Sequence, residues 1–502
     1  MRKPFSLLLT LSLTGCVALA APQTGSPPLT TPDREAPTGT PLLAFTATPA
    51  PLATPSPEPH EPGDVASLIP NVTLDVELFY RERWMRVRQT VELTNATPDV
   101  WDEVVFNVPV NATPEAFYLD ALTVTLDDTV QEGTPGFFAG ETILRVPLPR
   151  PLHPDETLSI EMRYRVVIPP VGPTDWPPTG TTGWTFDLIQ AGEWYPALVP
   201  YIQGEGWHTW RYHPVGDPTF YPLSNTRLTV RTEEGITVAS GGPVGREGNV
   251  WRFEVRGARG VAFLASDRYE VVEREINGIP VRSYYLPETP EAGQAALNIA
   301  ADAVALFSEL YGPYPYESLT VAENGFFGGM EYSALISISD YVYNTYTGEP
   351  NSFLAALVAH ETAHQWWYGA VGNDQANEPW LDESLAFYSE LLYFERYYPE
   401  YTDWWWEARV TRFNLSGPVD ATIYSYENSS DFILSMYGQA ALFIHDLRGM
   451  MGDEAFFAFL QDYYRTYAGQ IVTARDFFEA ARRHAAVDLT PLFEAYFANP
   501  EP

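Results

Sequence analysis

The stretch Leu357 to Trp367 contains His360-Glu361-Thr362-Ala363-His364. Two histidines four apart lie one above the other on a helix, so both imidazoles reach one metal ion. The glutamate after the first histidine points toward the metal's open position, where a bound water needs a base. The flanks read as helix: Asn351 or Ser352 can cap it, and Phe353, Leu354, Leu357 and Val358 supply an apolar face. The competing reading is a buried amphipathic helix that carries two histidines by chance. A third ligand separates the two readings, because a metal site that does chemistry combines three protein ligands with one open position.

A candidate lies downstream in Trp380-Leu381-Asp382-Glu383-Ser384-Leu385-Ala386, at the start of a second helical pattern through Tyr388, Leu391, Leu392 and Phe394. Residues 365 to 382, 18 in all, separate His364 from Glu383. That gap lets the first helix end near Gly369 or Gly372, turn, and bring the second alongside. In spacing and flanking residues the pattern resembles the gluzincin metallopeptidases, and in particular the M1 aminopeptidase family. The resemblance implies one Zn2+ held by His360, His364 and Glu383, with Glu361 as general base.

Two further stretches extend it. Gly328-Gly329-Met330-Glu331-Tyr332 resembles the family's Gly-x-Met-Glu-Asn motif, with Tyr332 in place of Asn. The glycines would let a peptide backbone lie close, and the resemblance implies that Glu331 grips the substrate's free amino group. Such a carboxylate sets an end stop, since it favours a charged α-amine. Met436-Tyr437-Gly438-Gln439-Ala440 resembles the family's Tyr-x-Lys-Gly-Ala, with Gln439 and Ala440 departing from it. By that resemblance Tyr437 donates a hydrogen bond to the oxyanion; Tyr424 and Tyr426 are the alternatives.

The elements that must position these residues follow in chain order. Met1-Arg2-Lys3, the apolar run Phe5 to Leu13 and Leu13-Thr14-Gly15-Cys16 resemble a bacterial lipoprotein signal, which implies cleavage before Cys16 and lipidation of that cysteine. The other reading is an ordinary secretory signal cut near Ala20 to Pro22. Cys16 is the one cysteine of the chain, which excludes an intrachain disulfide framework. Residues 16–65, rich in Pro and Thr, read as an extended spacer. No later run is long and apolar enough for a transmembrane helix.

Residues 66–275 carry strand alternation: Val72, Leu74, Val76, Leu78 and Tyr80, then Met85, Val87, Val91 and Leu93, and later Trp251, Phe253 and Val255. Turn signals such as Thr134-Pro135-Gly136 separate the runs, and no convincing helix interrupts them. This part reads as an all-β domain, as M1 enzymes have before their catalytic domain. The aromatic stretch Gly183 to Tyr221 reads either as core or as a wall of the cleft. By the resemblance, Gln190 is the counterpart of a glutamine that family members offer to the substrate's amino end. His208 and His213 read as ordinary polar residues rather than ligands.

Residues 276–502 read as a domain with strands first and helices later, and the resemblance implies a thermolysin-like α+β catalytic domain here. Thr289-Pro290 opens a helix that Gly312-Pro313 ends, Leu319 to Val321 and Ala334 to Ile338 read as strands, Met436 to Ala441 leads into a helix with Leu442, Phe443 and Leu447, and Thr473 to Phe497 reads as helical with a stop near Asp488. Larger M1 enzymes continue with further domains that cap the cleft, so the resemblance is to a short form covering residues 66–500.

Net charge is −36, from 65 acidic and 29 basic residues, which excludes a nucleic-acid binder with its basic face. The expectation is a zinc-dependent peptidase, bacterial and anchored to the membrane outside the cytoplasm, that removes N-terminal residues from peptides. The alternatives are a zinc endopeptidase with an open cleft and a non-catalytic peptide-binding lipoprotein.

Overall fold

The computed structural model describes residues 65–500, apart from 139–141, 172–181, 214, 217, 218, 327, 414, 416 and 428. Cys16, the leader and the Pro/Thr-rich spacer lie outside the described residues.

The first half is β-structure. An eight-stranded sheet runs in the order Val244–Glu247, Val250–Ala258, Ser224–Arg231, Asn71–Phe79, Trp84–Thr94, Thr157–Val167, Phe117–Leu126 and Thr129–Glu132. Neighbours are antiparallel except Asn71–Phe79 beside Ser224–Arg231. Period-2 alternation sets its inner face: Val72, Leu74, Val76, Leu78, Met85, Val87, Val91, Trp251, Phe253 and Val255 are all buried. Gln89 interrupts that apolar row, yet it is satisfied: its Nε2 donates to Pro196 O at 2.7 Å and its Oε1 accepts from Tyr164 at 2.9 Å. Two four-stranded sheets complete the layer. Most aromatics of residues 183–221 serve as core, with Trp194, Tyr195, Tyr201, Trp210 and Tyr221 buried. Phe186 is the exception: it sits at a hairpin tip with φ 45° and is 85% exposed.

A mixed five-stranded sheet follows, ordered Glu270–Ile276, Ile279–Tyr285, Leu319–Asn324, Leu335–Ser339 and Gly329–Met330. Its first hairpin straddles residues 275 and 276 and turns on Asn277-Gly278, both at positive φ as a tight two-residue loop requires. The helix Pro290–Leu310 packs on this sheet and against Phe353–Ala363, the helix of the histidine motif. Proline stands at its first turn as the sequence implies, but the Thr289 hydroxyl does not cap the helix. It donates instead to Leu286 O at 3.0 Å and Glu323 Oε2 at 2.7 Å. Buried Glu323 also accepts from Leu286 N, so the helix entry is tied to the central strand. The helices Trp380–Tyr397, Ala440–Met451, Asp453–Tyr467, Ala474–His484 and Thr490–Tyr496 complete the second half. The fold is therefore an all-β region followed by a mixed and then helical one. Among the described residues no helix is long and apolar enough to cross a membrane.

One cation joins the two halves. Arg259 is buried at the end of the β-region, and its guanidinium donates to Tyr221 O, Gly369 O and Gln470 O. Its backbone N–H donates to Ser333 Oγ. These contacts hold together the turn after the motif helix, the loop that carries Glu331 and a distant helix connection.

Candidate active site

Ser352 caps the motif helix by accepting from Ala355 N at 3.2 Å, and the next turns carry His360, Glu361 and His364 with no exposure to solvent. Glu383 lies in the first turn of Trp380–Tyr397, which packs alongside. The donor atoms converge. His360 Nε2 and His364 Nε2 are 3.1 Å apart, and Glu383 Oε2 is 3.3 Å from the first and 3.5 Å from the second. Bonds of about 2.0–2.1 Å to one tetrahedral metal place neighbouring ligand atoms about 3.3 Å apart, so this triangle fits a single zinc-sized ion.

The opposite ring nitrogens are committed. His360 Nδ1 donates to Glu390 Oε1 at 3.0 Å and His364 Nδ1 donates to Trp367 O at 3.1 Å. Both bonds fix the tautomer that turns an Nε2 lone pair inward. Glu390 is fully buried and accepts from Trp405 Nε1 at 2.8 Å and from Arg409 at 2.8 and 2.5 Å. Burial opposes its charge, but Arg409 and then His360 lower its pKa below the usual value. Arg409 comes from a π-helical turn, Trp406–Thr411, and Tyr437 from another, Leu434–Gln439. Such turns often mark functional positions.

Electrostatics favour a cation at the triangle. Burial works against a charged His364, yet Glu331, Glu383 and Asp382 around it raise its pKa well above the usual value. Burial also opposes ionisation of Glu383, and the two histidines outweigh it and hold the carboxyl low. Asp382 moves up, through burial first and the charge of Glu383 second. A second acidic group, Glu331 with His364 and Asp382, shares His364 with the first. The Gln375 amide occupies one oxygen of each of that group's carboxylates: Nε2 donates to Glu331 Oε1 at 3.0 Å and to Asp382 Oδ2 at 2.7 Å.

The remaining sequence-derived residues gather here. Tyr437 is buried and donates to Glu383 Oε1 at 2.8 Å, with its ring tilted over His360. Tyr424 donates to Arg211 O instead. Gly329 and Met330 form the edge strand of the mixed sheet, with Glu331 next in the chain. A Cβ on Gly329 would meet Glu361 Oε1 at 2.1 Å, so the group that requires glycine there is the side chain of Glu361. Gly328 adopts φ 100°, open to glycine alone at little cost. Gln365 ties the Glu331 loop to the motif helix through Ala334 N at 2.8 Å and Tyr332 O at 3.2 Å. Gln190, from the β-region, is buried and donates to the Tyr332 hydroxyl at 3.2 Å, so it reaches the loop of Glu331. His208 lies 3.6 Å from Asp374 and His213 meets Tyr426 O at 3.1 Å, and among the described residues neither belongs to a ligand group.

Glu390, Arg409, Gln365 and Gln375 were not found from the sequence. Glu390 carried a signal: it follows Glu383 by seven positions on one helix, two turns along the same face. Gln375 carried none, since loop spacing does not show which carboxylates a side chain will meet.

A family model described as the peptidase family M1 domain matches residues 295–496. Aminopeptidase N of Streptomyces lividans is 27% identical over 297 residues, covering 54% of this chain and 34% of that protein. The probable aminopeptidase 2 of Sulfurisphaera tokodaii is 23% identical over 304 residues, covering 56% of this chain and 39% of that protein. The chain thus spans little more than a third of the length of these relatives. The M1 zinc metallopeptidase of Deinococcus radiodurans superposes with TM-score 0.64 at 18% identity, covering 87% of this chain and 95% of that one. A mutant of that protein is solved bound to a Tyr-Ser-Ala substrate.

Replacing Arg409 by Met leaves the Glu390 charge buried without its cation and frees it from its fixed position behind His360. Zinc affinity, measured by competition with a chromogenic chelator, should fall by about 10- to 100-fold.

Proposed function

We propose that this chain, whose residues 295–496 match the peptidase family M1 domain, is a zinc-dependent aminopeptidase that removes residues from the amino end of peptides. One observation carries the reading. The triangle of His360, His364 and Glu383 and the carboxylate of Glu331 lie in one buried site, joined by the single amide of Gln375 across Glu331 and Asp382. The aminopeptidases among its relatives and the tripeptide bound to its Deinococcus radiodurans neighbour support the same reading.

His360, His364 and Glu383 would hold the ion, and bound zinc supplies Lewis-acid polarisation of a carbonyl and an acidified water. Glu361 takes the proton of the attacking water and returns it to the leaving amine. Tyr437 turns its hydroxyl from Glu383 toward the developing oxyanion, the kind of donor whose loss costs about 3 kcal/mol elsewhere. Glu331 binds the ammonium group and ends the site. The edge strand Gly329–Met330 offers backbone groups along which an extended peptide can pair.

Location belongs to the same proposal. Cys16 in its lipobox-like setting and the following Pro/Thr-rich stretch support a lipid-tethered enzyme outside the cytoplasm. Replacing Cys16 by Ala should abolish labelling with radioactive palmitate and move the protein from the membrane to the soluble fraction. Unchanged labelling and fractionation would remove the anchor.

For the chemistry, Glu361→Gln should retain one zinc per chain by elemental analysis and lose turnover by about a thousandfold. The wild-type enzyme should cleave a free-amine aminoacyl substrate far faster than its N-acetylated form. Equal rates on the two would point to an endopeptidase.

A further inference from the structure

Between the ligand triangle and Glu331 lies a residue that the proposed chemistry does not use. Gln375 sits in the loop joining the two ligand helices and is 2% exposed. Its side-chain amide has two N–H groups, and both are engaged: one on Glu331 Oε1 at 3.0 Å, the other on Asp382 Oδ2 at 2.7 Å. Its carbonyl oxygen accepts from the hydroxyl of Thr219, which belongs to the β-region. The orientation is therefore determined, because a flipped amide would aim its oxygen at two carboxylates and its N–H groups at Thr219. The backbone is held as well: Asp374 Oδ1, just before Gln375, accepts from Ala376 N and Asn377 N just after it. Asp382 is fixed on its other oxygen by Asn373 Nδ2 at 2.8 Å.

The consequence falls on Glu331. One of its oxygens is held by Gln375, and Oε2 is buried with no hydrogen-bond partner among the described residues. A buried carboxylate oxygen in that state calls for a donor, and an ammonium group supplies one with charge. A carboxylate restrained at one oxygen presents the other in a fixed direction and loses no rotamer freedom when the ligand arrives.

We propose that Gln375 is a positioning residue for the amino-terminal subsite: with Thr219 it holds Glu331 by one oxygen, so that the other receives the substrate's free α-amine. This rests on the aminopeptidase reading above and deepens it. It makes selection for a free amino terminus depend on both halves of the chain, since Thr219 lies in the β-region and Glu331 in the catalytic one.

The test compares kcat and KM for a free-amine aminoacyl substrate and its N-acetylated form in three zinc-loaded proteins: wild type, Gln375→Met and Thr219→Val. Gln375→Met keeps the size of the side chain and removes both donors. The free-to-acetylated ratio of kcat/KM should fall about tenfold, as expected for one hydrogen bond to a charged group, with the change in KM for the free-amine substrate. Thr219→Val should move the ratio in the same direction by less, and it decides the matter alone if Gln375→Met does not fold. If the folded variants keep the wild-type ratio, or lose kcat on both substrates equally, Gln375 does not position the subsite. If wild type itself shows no preference for the free amine, the aminopeptidase reading fails, and that result is distinct.

Discussion

Negative charge buried around two histidines is the constraint on which the rest of this structure depends. Glu331, Glu361, Asp382, Glu383 and Glu390 are each no more than 5% exposed, and they crowd about His360 and His364. Charges taken out of water are costly unless they are paired or bind a metal. Arg409 answers Glu390, Gln375 serves Glu331 and Asp382, and a divalent cation at the triangle answers Glu383 and its neighbours. The same crowding serves the proposed chemistry, because it favours positive charge at two points, a metal ion at one and a substrate ammonium group at the other.

That arrangement is braced from the β-region. Arg259 spends its guanidinium on three backbone carbonyls, one in the β-region and two in the helical part. Thr219 reaches Gln375 and Gln190 reaches Tyr332. The β-region is therefore part of the site's architecture. Its alternating strands supply a rigid body, and a few polar side chains at its edge set the position of the loop that carries Glu331.

Much of this was legible in the sequence where physics acts locally. Helical periodicity brought His360 above His364, and a cap followed by an apolar face announced the helix. The period-2 rows of Val72 to Leu78 marked the β-sheet. The link to Glu383 depended on a resemblance in spacing, and the two helices bring its carboxylate to the histidines. What the sequence did not disclose are contacts between residues far apart in the chain. Gln375 meets Glu331 across 44 positions and Thr219 across 156. The hydroxyl of Thr289 stands at the expected helix start and yet accepts from no helix N–H; it donates to Glu323, 34 positions along the chain. Gly329 was read as room for a peptide backbone, and the close approach of Glu361 is a second reason for glycine there that the sequence did not disclose.

The claim that one cation balances this cluster is tested most directly by calorimetric titration of zinc into chelator-stripped protein. The account predicts one ion per chain, since the two acidic groups share His364 and the Gln375 amide already holds both carboxylates of the second. It also predicts loss of that binding when His360 or His364 is replaced by Ala. No zinc binding, two ions per chain, or binding indifferent to both histidines would contradict it.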